Sequence, residues 1–505
     1  MPESPSPSKT GTAKQRRVCY IPEQLDKEAL TSPPTSRDTP LALVSRDVRT
    51  LFSVIYLLPK LFLPLSTGKP SDELNFQGKT AINLTALITV TVVEVVLFIL
   101  MGVSLLSLPG LLNIPVSLLI LGTIWLMCVP LRGSSMIVYS SPEGDHIPKT
   151  EKQGNERWVF VNGVLQSHYN LKQNCDHIAH IFGRPIIGIH NPTYGLIGDL
   201  LECIFQRSFS FNDESVRFTY DKVKEYLINP SIEKVVLMGH SQGGIVVSMA
   251  LDLLFVDLPA ENIAKLEVYT FGSAASHFNN PLRAIDPLSN KARPVISYIE
   301  HYVNSEDMVT RWGVVYNVEK TIENKFAGKV FIRMNAPGHM LNQHYLDQMF
   351  LLPKNPQGSE DTGFLDEVVE IDETVSEARD QFVHEKSNDS DKANRRRISI
   401  NKDMNRSVLG ATKTVRELSR LWRYMGGNNP DDFGQSGNHS VKTSQLILEQ
   451  IDGDLYISYA NAPGGRMNIT SWPKQDETKS SLPLYTPSLV GLLLPEQIIE
   501  ICSQG

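Results

Sequence analysis

The sequence predicts an α/β fold, a mostly parallel sheet covered by helices, with a pair of apolar helices ahead of it. Three observations carry this. The stretch Lys234 to Phe255 passes from a β-branched run through Gly-His-Ser-Gln-Gly into apolar residues at helical spacing, which reads as strand, sharp turn, helix. Short β-branched runs alternate with helical segments from Ser135 to Met334, the pattern of a parallel sheet with helices on both faces. Ala81 to Leu106 and Leu111 to Leu131 are almost wholly apolar, and a bilayer core requires roughly 20 such residues.

Length and charge narrow the function classes. At 505 residues the chain exceeds an average domain, and one large domain with accessory segments fits it. The net charge of -7 and the absence of any Lys/Arg run longer than Arg395 to Arg397 exclude nucleic acid as a partner. Cys19, Cys128, Cys175, Cys203 and Cys502 are scattered and odd in number. They suggest neither a disulfide framework nor a zinc site, and a reducing compartment follows. No metal or nucleotide motif is present, so no cofactor is expected.

Met1 to Asp47 is rich in Pro, Ser, Thr and charge without an apolar period, and is expected to be a disordered tail. Its start does not read as a signal peptide. Residues 48–80 begin with an apolar run broken by Arg49, Lys60, Pro59 and Pro64, too short to span and suited to an interface. Residues 81–131 read as a two-helix membrane hairpin with a short turn at Ser107 to Gly110. Glu94 is its one acid, costly at a bilayer centre unless it faces the partner helix. Basic residues flank only the outer ends, which puts both ends and the domain that follows in the cytoplasm. Pro109 and Pro115 near the turn also suit a hairpin dipping into one leaflet, so the endoplasmic reticulum and a lipid droplet both stay open.

Residues 132–353 carry the globular pattern. Strands are expected at Ser135 to Ser140, Arg157 to Asn162, Ile186 to Ile189, Lys265 to Phe271, Val295 to Val303 and Lys329 to Met334, and helices at Asp213 to Leu227 and from His344 to Leu352. Asn191 to Phe211 is also helical, either a mobile lid or an ordinary covering helix. Residues 354–411 are a charged linker, expected to be disordered, in which Ser399 follows a basic run as a phosphorylation candidate. Residues 412–505 are partly ordered, with a helix at Thr412 to Tyr424 and apolar segments at Leu446 to Tyr459 and Leu482 to Ile501. Asn388, Asn405, Asn438 and Asn468 head sequons that matter only in a lumenal chain.

The chemistry centres on Ser241. A serine hydroxyl is a weak nucleophile and needs a neighbouring base that a carboxylate orients. Where such a turn tops a parallel sheet, the acid and the histidine follow on loops after later strands. Asp307 fits the acid, with Glu306 its rival. His339 fits the base, because Gly338 lets the loop turn there, and His344 is the alternative. The backbone N–H of Gln242 and one from the turn Gly163 or Val164 are placed for an oxyanion hole.

Three segments carry a family resemblance. Gly239 to Gly244 resembles the elbows of lipases, Thr270 to Ser273 the strand end that follows the elbow in class-three lipases, and Val303 to Val309 their aspartate segment, in that family's order. The resemblance covers about Trp158 to Leu352 and implies an α/β-hydrolase fold that acts on acyl esters, lipids among them. The segment Gly338 to Leu346 departs from the family's histidine region. With its hairpin, the whole resembles a fungal-type membrane-bound lipase-like protein. The expected function is thus a membrane-anchored serine hydrolase whose partners are an apolar ester and a membrane. An acyltransferase using the same acyl-enzyme, or an inactive interaction protein on the same fold, are the other readings.

Overall fold

A computed structural model describes residues 18–23, 39–142, 154–283, 293–320, 326–351, 363–371, 413–431, 446–451, 454–459 and 467–468. Ser399, the basic run before it, the apolar segment from Leu482 and the sequons at Asn388, Asn405 and Asn438 lie outside them.

The chain begins with strand β1 (Val18–Ile21), helix α1 (Pro40–Val54) and a 3-10 segment (Ile55–Phe62), followed by two long helices, α2 (Gly78–Ser107) and α3 (Gly110–Arg132). Then come β2 (Ile137–Ser140), β3 (Glu156–Val161), α4 (His168–Phe182), β4 (Ile186–Ile189), α5 (Leu196–Phe209) and α6 (Glu214–Ile228). The elbow strand and helix are β5 (Lys234–His240) and α7 (Gln242–Asp257), after which α8 (Ala260–Ile263), β6 (Leu266–Phe271), β7 (Tyr298–Asn304), α9 (Met308–Trp312), α10 (Val314–Lys320), β8 (Lys329–Arg333) and β9 (Val369–Ile371) complete the sheet region.

The strands form one nine-stranded sheet in the order β2-β4-β3-β5-β6-β7-β8-β1-β9. The run from β4 to β8 is parallel, and β2 and β1 join it antiparallel at either side. Successive side chains of a strand face opposite sides, which sorts β5 between two cores. Val235 and Leu237 pack beneath α6 and α7, while Val236 and Met238 meet Trp158 and Phe182 on the α4 side. Both faces are covered, so the strand reads as a continuous apolar run rather than an alternating one.

α2 and α3 pack on each other through Leu87, Val90, Ile120, Ile124 and Cys128, and both are long and apolar enough to cross a membrane. Their outer sides expose Ile99, Leu106, Leu111, Leu119 and Leu126. The base of α2 is pinned to the globular part: Asn83 hydrogen-bonds Ser167 at 2.6 Å and Asn170 at 2.7 Å. Glu94 finds its hydrogen bonds on α5 rather than on α3. Its Oε1 accepts the backbone N–H groups of Ile197 at 3.1 Å and Gly198 at 3.2 Å, at the start of α5.

Several segments differ from expectation because long-range packing orders what local pattern does not. Val18–Ile21, within the expected tail, pairs with β8 on one side and β9 on the other. α1 starts at Pro40 under a Thr39 cap and buries Asp47 in a two-pronged pair with Arg207 of α5, at 2.9 and 2.8 Å. In the expected linker, Phe364 and Leu365 are buried in the α4-side core. Instead of one helix over Thr412 to Tyr424 there is a short helix, Val415–Leu418, and a 3-10 segment, Leu421–Gly427. Val415, Leu421 and Tyr424 join the same core. The helix expected from His344 begins as a π-helical turn, Leu341–Leu346, and continues as a short α-helix, Asp347–Met349.

The chain divides at Asp431 into two compact units. In the second, β10 (Leu446–Ile451), β11 (Asp454–Tyr459) and β12 (Met467–Asn468) form an antiparallel sheet.

Candidate active site

Ser241 stands between β5 and α7 with φ +58° and ψ -122°, a strained conformation for a residue with a side chain. Neighbouring strands hold it there. Its N–H donates to the Phe271 carbonyl at 3.1 Å and its own carbonyl accepts from Ala274 N–H at 3.1 Å. The segment Thr270 to Ser273 thus braces the elbow from the end of β6. Gly272, at φ +58°, leaves room for the His339 ring, whose Cε1 and Nδ1 would lie 3.1 Å from any Cβ placed there.

Asp307 and His339 are brought together from the loops after β7 and β8. His339 Nδ1 lies 2.6 Å from Asp307 Oδ2, so the carboxylate accepts the Nδ1 proton and leaves Nε2 as the basic nitrogen. That Nε2 is buried and has no hydrogen-bond partner among the described residues. The ring lies against that of His240, beside Ser241, with centroids 4.8 Å apart. His240 Nε2 donates to the His339 carbonyl at 2.8 Å, and burial holds the His240 pKa well below its ordinary value. The loop is fixed from outside by the 3-10 segment, whose Lys60 and Leu61 carbonyls accept the Gly338 and His339 N–H groups, each at 2.9 Å.

Asp307 is fully buried and saturated with donors. Oδ1 accepts Val309 N–H at 2.8 Å, capping α9, and Oδ2 also accepts the Tyr345 hydroxyl at 2.7 Å. Its rival Glu306 turns outward to Lys60 at 2.6 Å.

His344 is committed elsewhere. Its Nδ1 accepts Met340 N–H at 2.9 Å and its Nε2 donates to the Pro64 carbonyl at 2.9 Å. Burial lowers its pKa to about 4, so it is a neutral loop pin with no nitrogen left for Ser241.

The turn after β3 closes the other side. A Cβ on Gly163 would sit 2.5 Å from Ser241 Cβ and 3.0 Å from its Oγ, so only glycine allows this approach. Val164 is half-buried against the α7-side core, and Leu165 adopts φ +49°. Asn162 ties the turn to Asn191, accepting its N–H at 2.7 Å. Gln242 opens α7, where backbone N–H groups carry the positive end of the helix dipole. Its side chain is locked by Asn191 at 2.7 Å and Glu202 at 2.9 Å. Burial, with the Asp213 carboxylate nearby, pushes the Glu202 carboxyl above its ordinary range.

His240 and Asp199 carried no role in the sequence reading, Asn162 read only as the end of a strand and start of a turn, and Tyr345 read as a packing residue. Asp199 accepts Leu165 N–H at 2.7 Å, the Thr193 hydroxyl at 2.8 Å and Tyr194 N–H at 2.7 Å. Burial pushes its carboxyl up to about 6 against those three bonds. A buried carboxylate needs more than one donor, but no local pattern marks Tyr345 as one of them. No group of three or more His, Cys, Asp or Glu among the described residues could hold a metal ion.

No family model matches the chain, and no curated protein matches it. Among solved structures, Trichoderma reesei cutinase in complex with a C11Y4 phosphonate inhibitor is 18% identical over 36% of this chain and 74% of the cutinase, at a TM-score of 0.19. An Agrobacterium vitis S4 protein named only as a hydrolase is 11% identical over 42% of this chain and 90% of its own, at 0.24. Superposition at that level carries no argument about this chain's chemistry.

Proposed function

We propose that the protein is a membrane-associated serine hydrolase that cleaves carboxylic esters of apolar acyl groups through an acyl-enzyme on Ser241. The observation that carries this is the buried Asp307–His339 pair, 2.6 Å apart, laid against a strained serine elbow. The Ser241 hydroxyl attacks the ester carbonyl as His339 Nε2 takes its proton, and Asp307 stabilises the imidazolium that forms. The Gln242 N–H and that of Gly163 or Val164 receive the oxyanion. His339 then protonates the leaving alcohol, and a water activated by the same nitrogen releases the acid.

The apolar nature of the substrate is supported by what surrounds the site. α5 turns Asp199, Gln206 and Arg207 inward while Leu201, Phe205 and Phe209 are exposed. The 3-10 segment that holds the His339 loop likewise exposes Ile55, Tyr56 and Phe62. Outward apolar faces beside two apolar hairpin helices suit a lipid surface, from which a long-chain ester enters without crossing water.

The test is a fluorophosphonate probe on the full-length chain in its membrane fraction. Labelling that Ser241→Ala abolishes is expected, because only an activated serine reacts. An unlabelled wild-type chain would sink the reading in favour of an inactive interaction protein.

A further inference from the structure

We propose that helix α2 of the hairpin positions the oxyanion turn, through Glu94 and Asn83, with Asp199 as the intermediate on α5. The inference rests on reading Ser241 as the nucleophile.

Besides the Asn162–Asn191 tie, the turn from Asn162 to Ser167 is held at two points that lead to α2. The first begins at Leu165, whose N–H donates to Asp199 Oδ2 at 2.7 Å. Leu165 is a non-glycine residue at φ +49°, a conformation that persists only where surrounding contacts impose it. Asp199 lies in the first turn of α5, and that turn is capped from outside its own segment. The helix begins after Gly195, which has no side chain to accept the orphan N–H groups. Glu94 accepts two of them instead, from Ile197 and Gly198 at 3.1 and 3.2 Å. Gly195 sits at φ +90°, and a Cβ there would come within 2.5 Å of Glu94 Oε1, so the backbone is shaped to admit the carboxyl group. Glu94 is 1% exposed, an expense in an apolar helix that this contact explains.

The second point is Ser167, whose hydroxyl donates to Asn83 Oδ1 at 2.6 Å. Asn83 also donates to Asn170 at 2.7 Å, so α2 grips the start of α4 where the turn ends. At the first point the Leu165 side chain also packs against the hairpin's own core. Gly163, two residues before Leu165, is the residue that meets Ser241. A shift of α2 along its axis therefore moves both supports of the turn that faces the nucleophile, and a hydrogen bond to an oxyanion is lost over about an ångström of misplacement. Glu94, Asn83 and Asp199 are positioning residues and touch no substrate.

The test uses the full-length chain in phosphatidylcholine vesicles, with p-nitrophenyl butyrate for turnover and a fluorophosphonate for the rate of Ser241 labelling. Glu94→Leu, which removes the acceptor of both N–H groups, and Asp199→Asn are each expected to lower kcat about 10- to 100-fold with KM within twofold. Labelling should slow in the same ratio. Because the two act in series, the double variant should be no slower than Asp199→Asn, whereas a merely destabilising pair would add. If Glu94→Leu does not fold, Asn83→Ala reads the turn from its other end and is expected to lower kcat with KM unchanged. A labelled and active wild type with variants inside twofold in kcat, or with the loss confined to KM, overturns this inference alone. A wild type that neither labels nor turns over overturns the serine-hydrolase reading and this inference with it.

Discussion

Tyr345 donates its hydroxyl to Oδ2 of Asp307 at 2.7 Å, the same oxygen that faces Nδ1 of His339 at 2.6 Å. One carboxylate oxygen is thereby shared between the imidazole and a buried phenol, while the other caps α9. Such a carboxylate cannot swing away, which fixes the plane of the imidazole that rests on it.

Asp307→Asn is expected to cut kcat by about 10⁴ through the wrong imidazole tautomer. Tyr345→Phe removes one hydrogen bond to a charged group, worth about 1.5–3 kcal/mol, and should lower kcat about 10- to 100-fold with KM unchanged. Steady-state kinetics on the folded variants decide; a Tyr345→Phe enzyme with wild-type kcat would make the tyrosine a packing residue only.

His339→Ala is expected to lose nearly all activity and to stay folded, while His344→Ala loses stability before activity. The folded chain keeps His344 neutral down to about 4, whereas its ordinary value is 6.5. The unfolded chain thus binds a proton there first. Stability from this group is complete above pH 6.5 and drains away as pH falls toward 4, at about 1.4 kcal/mol per pH unit. Thermal melts across pH 4–7 should show a shallower acid loss in the variant. An equal slope, or a larger loss of activity than in His339→Ala, contradicts the assignment.

Leu421→Ala should destabilise the first unit by about 2–5 kcal/mol. Leu421 is fully buried, and the segment around it is latched by Arg420, which donates from its N–H to Glu300 at 2.8 Å and from Nε to Glu267 at 2.9 Å. Denaturant melts of the detergent-solubilised chain provide the measurement. A midpoint unchanged from wild type would mean that the segment contributes nothing to the fold.

Segments before and after the hairpin are expected to be cleaved together by protease added to intact microsomes, and to face the cytoplasm. β1 precedes the hairpin and β8 follows it, yet they pair in one sheet, so both flanks must share a side. The basic flanks choose which side. Protection of the region after Arg132 with cleavage before Lys79 would instead require a single crossing.

The sequence by itself determined the strand, turn and helix around Ser241, the mostly parallel character of the sheet and the two long apolar helices. Each of these is written in local periodicity: β-branched runs, small residues at a turn, about 20 apolar residues in a row. The place of Asp307, just past β7 and capping the next helix, was legible for a similar reason. Tertiary structure alone set His339 against Asp307 and His344 against Pro64, five positions apart on one loop, because that placement depends on Pro64 and the 3-10 segment, which engage the loop from far away in the chain. Val18–Ile21 was read as part of a tail, since four apolar residues order only when strands from the other end of the domain pair with them. Glu94 is the sharpest case. Its sequence neighbours are apolar and argue for a partner in α3, but its carboxyl group lies at α5, about 100 residues away, where only the packing of the hairpin on the domain could bring it.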